Sequence, residues 1–127
     1  MSCLERSELK EIHIKKRIVE KDSEGGRYET FSDAGTAKAI VWPASGKAQV
    51  EMYGERLNYI INLEIDGRYQ IQTEDGAMTY VLENGLAIRE KDGISLHGSK
   101  QQEYQIIAVR PAGHLRMEAE RIVNRRA

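Results

Sequence analysis

The clearest pattern of apolar and polar positions lies in residues 90–123, which read as three short strands in succession. Lys91-Asp92-Gly93 is a turn signal, because Asp can hydrogen-bond its own backbone two residues on and Gly accepts positive φ without Cβ strain. Ile94 and Leu96 then alternate with Ser95 and His97. Tyr104 to Val109 is apolar on both parities, as expected of a strand buried on most of both faces. After the stop at Pro111-Ala112-Gly113, Leu115, Met117 and Ala119 alternate with His114, Arg116, Glu118 and Glu120. That period predicts a strand with one wet face, on which Glu118 and Glu120 stand as ordinary solvated charge.

The same period of two opens the chain. Ile12, Ile14 and Ile18 share one parity and Glu11, His13 and Lys15 the other, predicting a long half-exposed strand over 9–19. Asp22 to Gly26 closes it and Arg27 to Ser32 supplies the return strand of a hairpin. Asp33-Ala34-Gly35 predicts a second break, and Thr36 to Trp42 a third strand that ends where Pro43 cannot donate to a ladder. Residues 43–58 change character: a loop at Ala44 to Lys47, then Val50, Tyr53 and Leu57 at i, i+3 and i+7, the spacing of one short helix. Gly54 weakens that helix by roughly 1 kcal/mol relative to Ala, so the segment reads as loosely built and able to reposition on docking.

Residues 58–65 alternate again, and parity asks Tyr69 and Ile71 to face the same core as Ile61 and Leu63. A two-residue loop at Asp66-Gly67 would pair Leu63 with Gln70. A three-residue loop with Gly67 left-handed pairs Leu63 with Tyr69 and Ile61 with Ile71, and is preferred. Glu74-Asp75-Gly76 and Glu83-Asn84-Gly85 punctuate a further strand at Met78 to Leu82 and the apolar pair Leu86 and Ile88. The whole predicts an all-β fold: a small β-barrel or sandwich of about seven to eight short antiparallel strands with one short helix. It is read as a single domain over 1–127, with flexible termini and a loop and helix excursion at 43–58.

Composition narrows the function. A chain of 127 residues can bury about two-thirds of its unfolded surface, so it needs no metal or disulfide to hold a core. Nineteen basic and twenty acidic side chains leave no overall field to gather nucleic acid or an anionic membrane. Cys3, without a second cysteine, cannot form an internal disulfide, and the first residues show no apolar leader, which predicts a cytosolic product. No apolar run approaches the length of a membrane span. His13, His97 and His114 are scattered without metal-ligand spacing, the glycines form neither a dinucleotide fingerprint nor a P-loop, and Ser23, Ser32, Ser45, Ser95 and Ser99 lack an elbow motif. The expectation is therefore no catalytic residue, no metal, no cofactor and no small-molecule substrate.

What chemistry remains is that of contact surfaces. Met52, Tyr53 and Arg56 combine an adaptable apolar side chain, an aromatic ring and a guanidinium, types enriched at protein interfaces; Tyr53 would equally well pack on the barrel. Trp42 reads as core or barrel-rim packing, with an interface role as the second reading. The basic end, including Arg121, Arg125 and Arg126, suits DNA phosphates, acidic neighbours or a solvated tail.

Ile12-His13-Ile14, the charged Glu24-Gly25-Gly26 turn, and Ala39-Ile40-Val41-Trp42 followed by Ser45-Gly46 resemble the head-tail joining proteins of tailed phages. Gly93-Ile94 and Tyr104 to Val109 extend the resemblance over nearly the whole chain. It implies a structural virion protein of a phage or defective prophage, made in the bacterial host cytoplasm. Such a head-closure, stopper or minor capsid protein is a subunit of the connector ring, and works by self-association and docking to portal or adaptor and tail-completion proteins. Beside it stands an OB-like nucleic-acid-binding module, which would want a basic groove with exposed aromatics.

Overall fold

In the computed structural model, which describes residues 9–74, 76–96 and 103–122 with every side chain but that of Ala112, the alternating segments form nine strands. They are β1 (Lys10–Lys21), β2 (Arg27–Pro43), β3 (Ile60–Ile65), β4 (Tyr69–Glu74), β5 (Ala77–Leu82), β6 (Ala87–Ile88), β7 (Gly93–Ser95), β8 (Tyr104–Ala112) and β9 (His114–Arg121). One helix, α1 (Lys47–Tyr53), continues into a 3-10 turn at Gly54–Tyr59. The order β1-β2-β3-β9-β8-β7 closes on itself as an antiparallel barrel, and β4-β5-β6 form a separate three-stranded sheet. The chain is thus all-β with one short helix, as its periodicity predicts.

The inward parity of each barrel strand fills the interior. Ile12, Ile14, Ala39, Leu63, Ile65, Ile94, Ile106, Leu115, Met117 and Ala119 are all essentially inaccessible to solvent. Tyr80, Leu82, Leu86 and Ile88 of the second sheet and its loop join the same cluster, with Tyr69 packed against it. The small sheet therefore shares the barrel's core.

Two expected connections differ. Residues 33–35 do not break the chain, because β2 runs unbroken through them. Ile14 pairs with Gly35 and Lys15 with Asp33, so the extra residue, Ala34, is absorbed as a bulge. Turns and bulges ask for the same residue types, and here Gly35 also lets β2 pass close to Leu86, whose Cδ1 would lie 3.2 Å from a Cβ at that position. Lys15, buried at the bulge, is neutralised by the exposed carboxylate of Asp33.

The second difference is the hairpin between residues 58–65 and 69–71, which does not form. Both edges of β3 are already taken: Leu63 pairs with Val41 of β2 on one side and with Met117 of β9 on the other. Tyr69 and Ile71 pair instead with Leu82 and Tyr80 of β5. Gly67 is left-handed, as expected, but it turns the chain out of the barrel.

Asp92 does more than shape its own turn. Its Oδ1 accepts from the Arg17 backbone N–H at 3.0 Å and its Oδ2 from that of Arg89 at 2.9 Å, while its carbonyl accepts from Ile106 N–H at 2.8 Å. One buried residue thereby ties β1, the β6–β7 connection and β8 together. Burial pushes its carboxyl up, and the two backbone donors offset only part of that. Beyond this staple β1 and β2 form an arm. β1 pairs with β7 over His13 to Lys15, and β2 with β3 from Ala39 to Pro43, so among the described residues 16–32 have ladder partners only in each other. Within the arm Tyr28 donates to Glu20 and Arg17 to Glu29, both at 2.6 Å, and Ile18, Val19 and Tyr28 stay exposed.

Candidate assembly surface

The helix α1 has little of its own to hold it. It is seven residues long, starts at Gly46 without a side-chain cap, and has no acidic residue in its first turn and no buried residue. Isolated helices of this length are not stable in water, so the barrel must supply the rest. It does so through Glu118, on the outer face of β9. Gln49 Nε2 donates to Glu118 Oε2 at 2.6 Å, while Tyr53 Oη and Arg110 Nε donate to Oε1, each at 2.8 Å. Gln49 also donates to Asn62 Oδ1 of β3 at 2.7 Å and accepts from the Ser45 backbone N–H at 3.0 Å.

This overturns the reading of Glu118 as solvated charge. The strand parity is right, and Leu115, Met117 and Ala119 do face the core, but α1 covers the outer face at this point and leaves Glu118 only 6% exposed. Burial pushes its carboxyl up; the bonds from Gln49, Tyr53 and Arg110, with the Arg110 charge, outweigh that and hold it below the ordinary glutamate range. Residues 43–58 are accordingly anchored rather than loose.

The expected contact residues can now be placed. Tyr53 is half-buried, its hydroxyl spent on Glu118 and its ring under the Arg56 guanidinium at 5.7 Å. Arg56 is exposed and grips Glu120 with two bonds, at 2.7 and 2.8 Å. Met52 is 57% exposed, and its sulfur accepts from Arg110 Nη2 at 3.6 Å. Trp42 is half-buried, on the parity opposite to core-packed Val41, and pairs in the ladder with Asn62, which α1 also engages. Met52, Tyr53, Arg56 and Trp42 thus belong to one side of the barrel. Arg125 and Arg126 lie outside the described residues, as do His97, Ser99 and Cys3.

Gln49, Asn62 and Arg110 are given no such role by the sequence pattern, and Glu118 figures there only as solvated charge. One signal was there: Gln49 lies four residues before Tyr53, so the two share a helix face and can reach a common partner. Which partner could not be read, since Glu118 is distant in sequence. Of the histidines, His13 approaches Glu11 at 3.9 Å and His114 keeps a buried Nδ1 without a hydrogen-bond partner. Among the described residues no group of His, Cys, Asp and Glu is arranged to hold a metal ion.

A pH effect follows from the Tyr53 hydroxyl, which burial and the Glu118 carboxylate hold above the usual tyrosine range. Its folded pKa lies above its unfolded one, so its stabilisation is complete below about pH 10 and is lost as pH rises through the raised value. Alkaline titration followed by tyrosinate absorbance and denaturant midpoint should show a loss, and Tyr53→Phe should reduce it to the part left by Tyr80 and Tyr28, which are also held above the usual tyrosine range. An unchanged alkaline limb in Tyr53→Phe would mean that the anchor does not depend on this hydroxyl.

No protein-family model, curated protein or solved structure matches this chain.

Proposed function

We propose that this chain is a structural subunit of a phage or prophage head-tail connector, which forms a ring in the virion and works by self-association and docking between portal or adaptor and tail-completion proteins. The observation that carries the reading is the helix patch: an exposed methionine and an arginine, flanked by a half-buried tryptophan, stand on an element already locked to the barrel through Glu118. Pre-organised side chains of these types lose little freedom on binding, which is what a docking surface needs. The arm of β1 and β2, with Ile18, Val19 and Tyr28 exposed, offers a second surface for neighbouring subunits. Assembly would take place in the bacterial cytoplasm before the protein is carried in the virion; no described helix is long and apolar enough to cross a membrane.

The nucleic-acid reading gains less support. Arg17, Arg56, Arg89, Arg110 and Arg116 are each paired with a glutamate, so these guanidinium groups are not free to line a phosphate groove.

Electron microscopy of the chain mixed with its portal should show rings seated through the α1 side. The double variant Met52→Ala/Arg56→Ala should weaken ring formation or portal docking by at least about 1–2 kcal/mol. Its melting should barely change, because both side chains are exposed. Tyr53→Ala is the poorer probe, since it also removes the anchor. Undiminished assembly by the double variant would place the docking surface elsewhere.

A further inference from the structure

The small sheet ends in an edge that the other described residues leave open. β4 pairs with β5 and lies at one end of the order β4-β5-β6. Its residues from Gln70 to Glu74 are all exposed, Ile71 by 48%. Natural edge strands are usually blunted by lysine, proline, a bulge or shortness. β4 is six residues long, contains no lysine or proline, and pairs with β5 without a register shift. By contrast, the arm segment of β1 carries Lys16, Arg17, Glu20 and Lys21.

The ladder fixes which backbone groups face outward. Leu82 N–H donates to the Leu86 carbonyl at 2.9 Å, on the side of β6. In an antiparallel sheet successive residues address opposite neighbours, so Ala77, Thr79 and Val81 address β4, bonding their opposites Glu74, Gln72 and Gln70. The N–H and C=O groups of Tyr69, Ile71 and Thr73 therefore point away from β5.

We propose that this edge pairs with the same edge of a second copy, β4 against β4, antiparallel and centred on Ile71. That register alone sets all three outward-facing residues against one another: Tyr69 opposite Thr73 of the second copy, Ile71 opposite Ile71, and Thr73 opposite Tyr69. A shift by one residue would oppose outward groups to groups already spent on β5. The same register places Arg68 of each copy opposite Glu74 of the other, where the carboxylate that holds Arg89 at 2.7 Å within its own chain would take a second guanidinium, and Gln70 opposite Gln72. Those are the non-hydrogen-bonded positions, where cross-strand side chains come closest. The edge is thus complementary to itself in charge and in hydrogen bonding, as a two-fold contact requires. Ile71 and Met78, both left exposed on the parity that carries Tyr69, Tyr80 and Leu82 into the core, would gain cover across the axis. An isologous contact closes at two copies, whereas a ring needs a heterologous one, so this pairing does not rest on the connector reading.

Sedimentation of the full chain over the micromolar range tests it with three variants. The wild-type chain should form a dimer. Ile71→Pro removes an N–H that serves no bond among the described residues, so the sheet should survive while self-association weakens at least about tenfold. Arg68→Glu and Glu74→Arg, each alone, should be monomeric through like-charge contact. An equimolar mixture of the two should dimerise again, because the edge with two carboxylates then meets the edge with two guanidinium groups. Recovery in the mixture supports the pairing even if the proline variant does not fold. A wild-type chain that stays monomeric throughout, a dimer or larger assembly indifferent to Ile71→Pro, or a mixture no better associated than its components would each overturn it.

Discussion

Glu118→Ala is expected to cost about 2–3 kcal/mol of folding stability, far more than a surface charge normally would. The carboxylate gathers donors from three side chains, Gln49 and Tyr53 of the α1 segment and Arg110 of β8, and the three bonds go together, Gln49 keeping only Asn62 as acceptor. Arg110 is half-exposed and can turn to water, which keeps the cost below that of a fully buried pair. Glu120→Ala, two residues along, should cost under about 1 kcal/mol, because its partner Arg56 is exposed and readily rehydrated. Urea titration of both variants beside the wild type measures the contrast, and equal losses would mean that the network holds nothing in place. The wild type should also show an acid limb of known sign. Glu118 is depressed in the fold, so its stabilisation is complete above the ordinary glutamate value of about 4.3 and fades as pH falls through the lower folded value. Glu118→Gln should make that limb shallower, leaving the part due to Glu120 and Asp33, which their partners Arg56 and Lys15 also hold low.

Ile94→Ala should be costlier still, at about 3–4 kcal/mol. Its side chain is fully buried, and it stands at the middle of β7, the three-residue strand that closes the barrel. Ile94 pairs with Ile14 of β1 on one side and with Tyr104 of β8 on the other. With so few residues in the closing ladder, a cavity at its centre cannot be taken up by neighbouring pairs. Against a typical domain stability of about 5–15 kcal/mol, this is a large share. Amide exchange should quicken at Ile14 and Ile94 before it does in the β3–β9 ladder. A loss below about 1 kcal/mol would show that β7 is not needed for closure.

Much of this was open to reading because a strand's side-chain period is local. The inward parity of Ile12 and Ile14, the turn at 22–26, the run of three strands after residue 90 and the short helix after Ser45 can all be read from residues a few places apart. Pairing is different, since it depends on which edges remain free once the barrel has closed. The preferred partner of Leu63 was its sequence neighbour Tyr69, yet β2 and β9 occupy both its edges, and no local pattern carries that information. For the same reason Asp33-Ala34-Gly35 looked like a turn, although β1 and Leu86 make a bulge of it.

The candidate contact surface divides along the same line. Residue type pointed to Met52, Tyr53 and Arg56 as contact candidates, with packing on the barrel an equal reading for Tyr53, and to Trp42 first as core or rim packing and second as an interface residue. Their division of labour was decided in three dimensions. Tyr53 turns inward to an acceptor sixty-five residues away while Met52 beside it stays outside. Glu118 changes from a solvated charge to a buried anchor because a helix from another part of the chain lies over it. The sequence by itself determined which face of each strand is apolar, since that follows from adjacent residues; only the tertiary structure decided which edges meet and which charges leave water, because both depend on parts of the chain that are far apart until it folds.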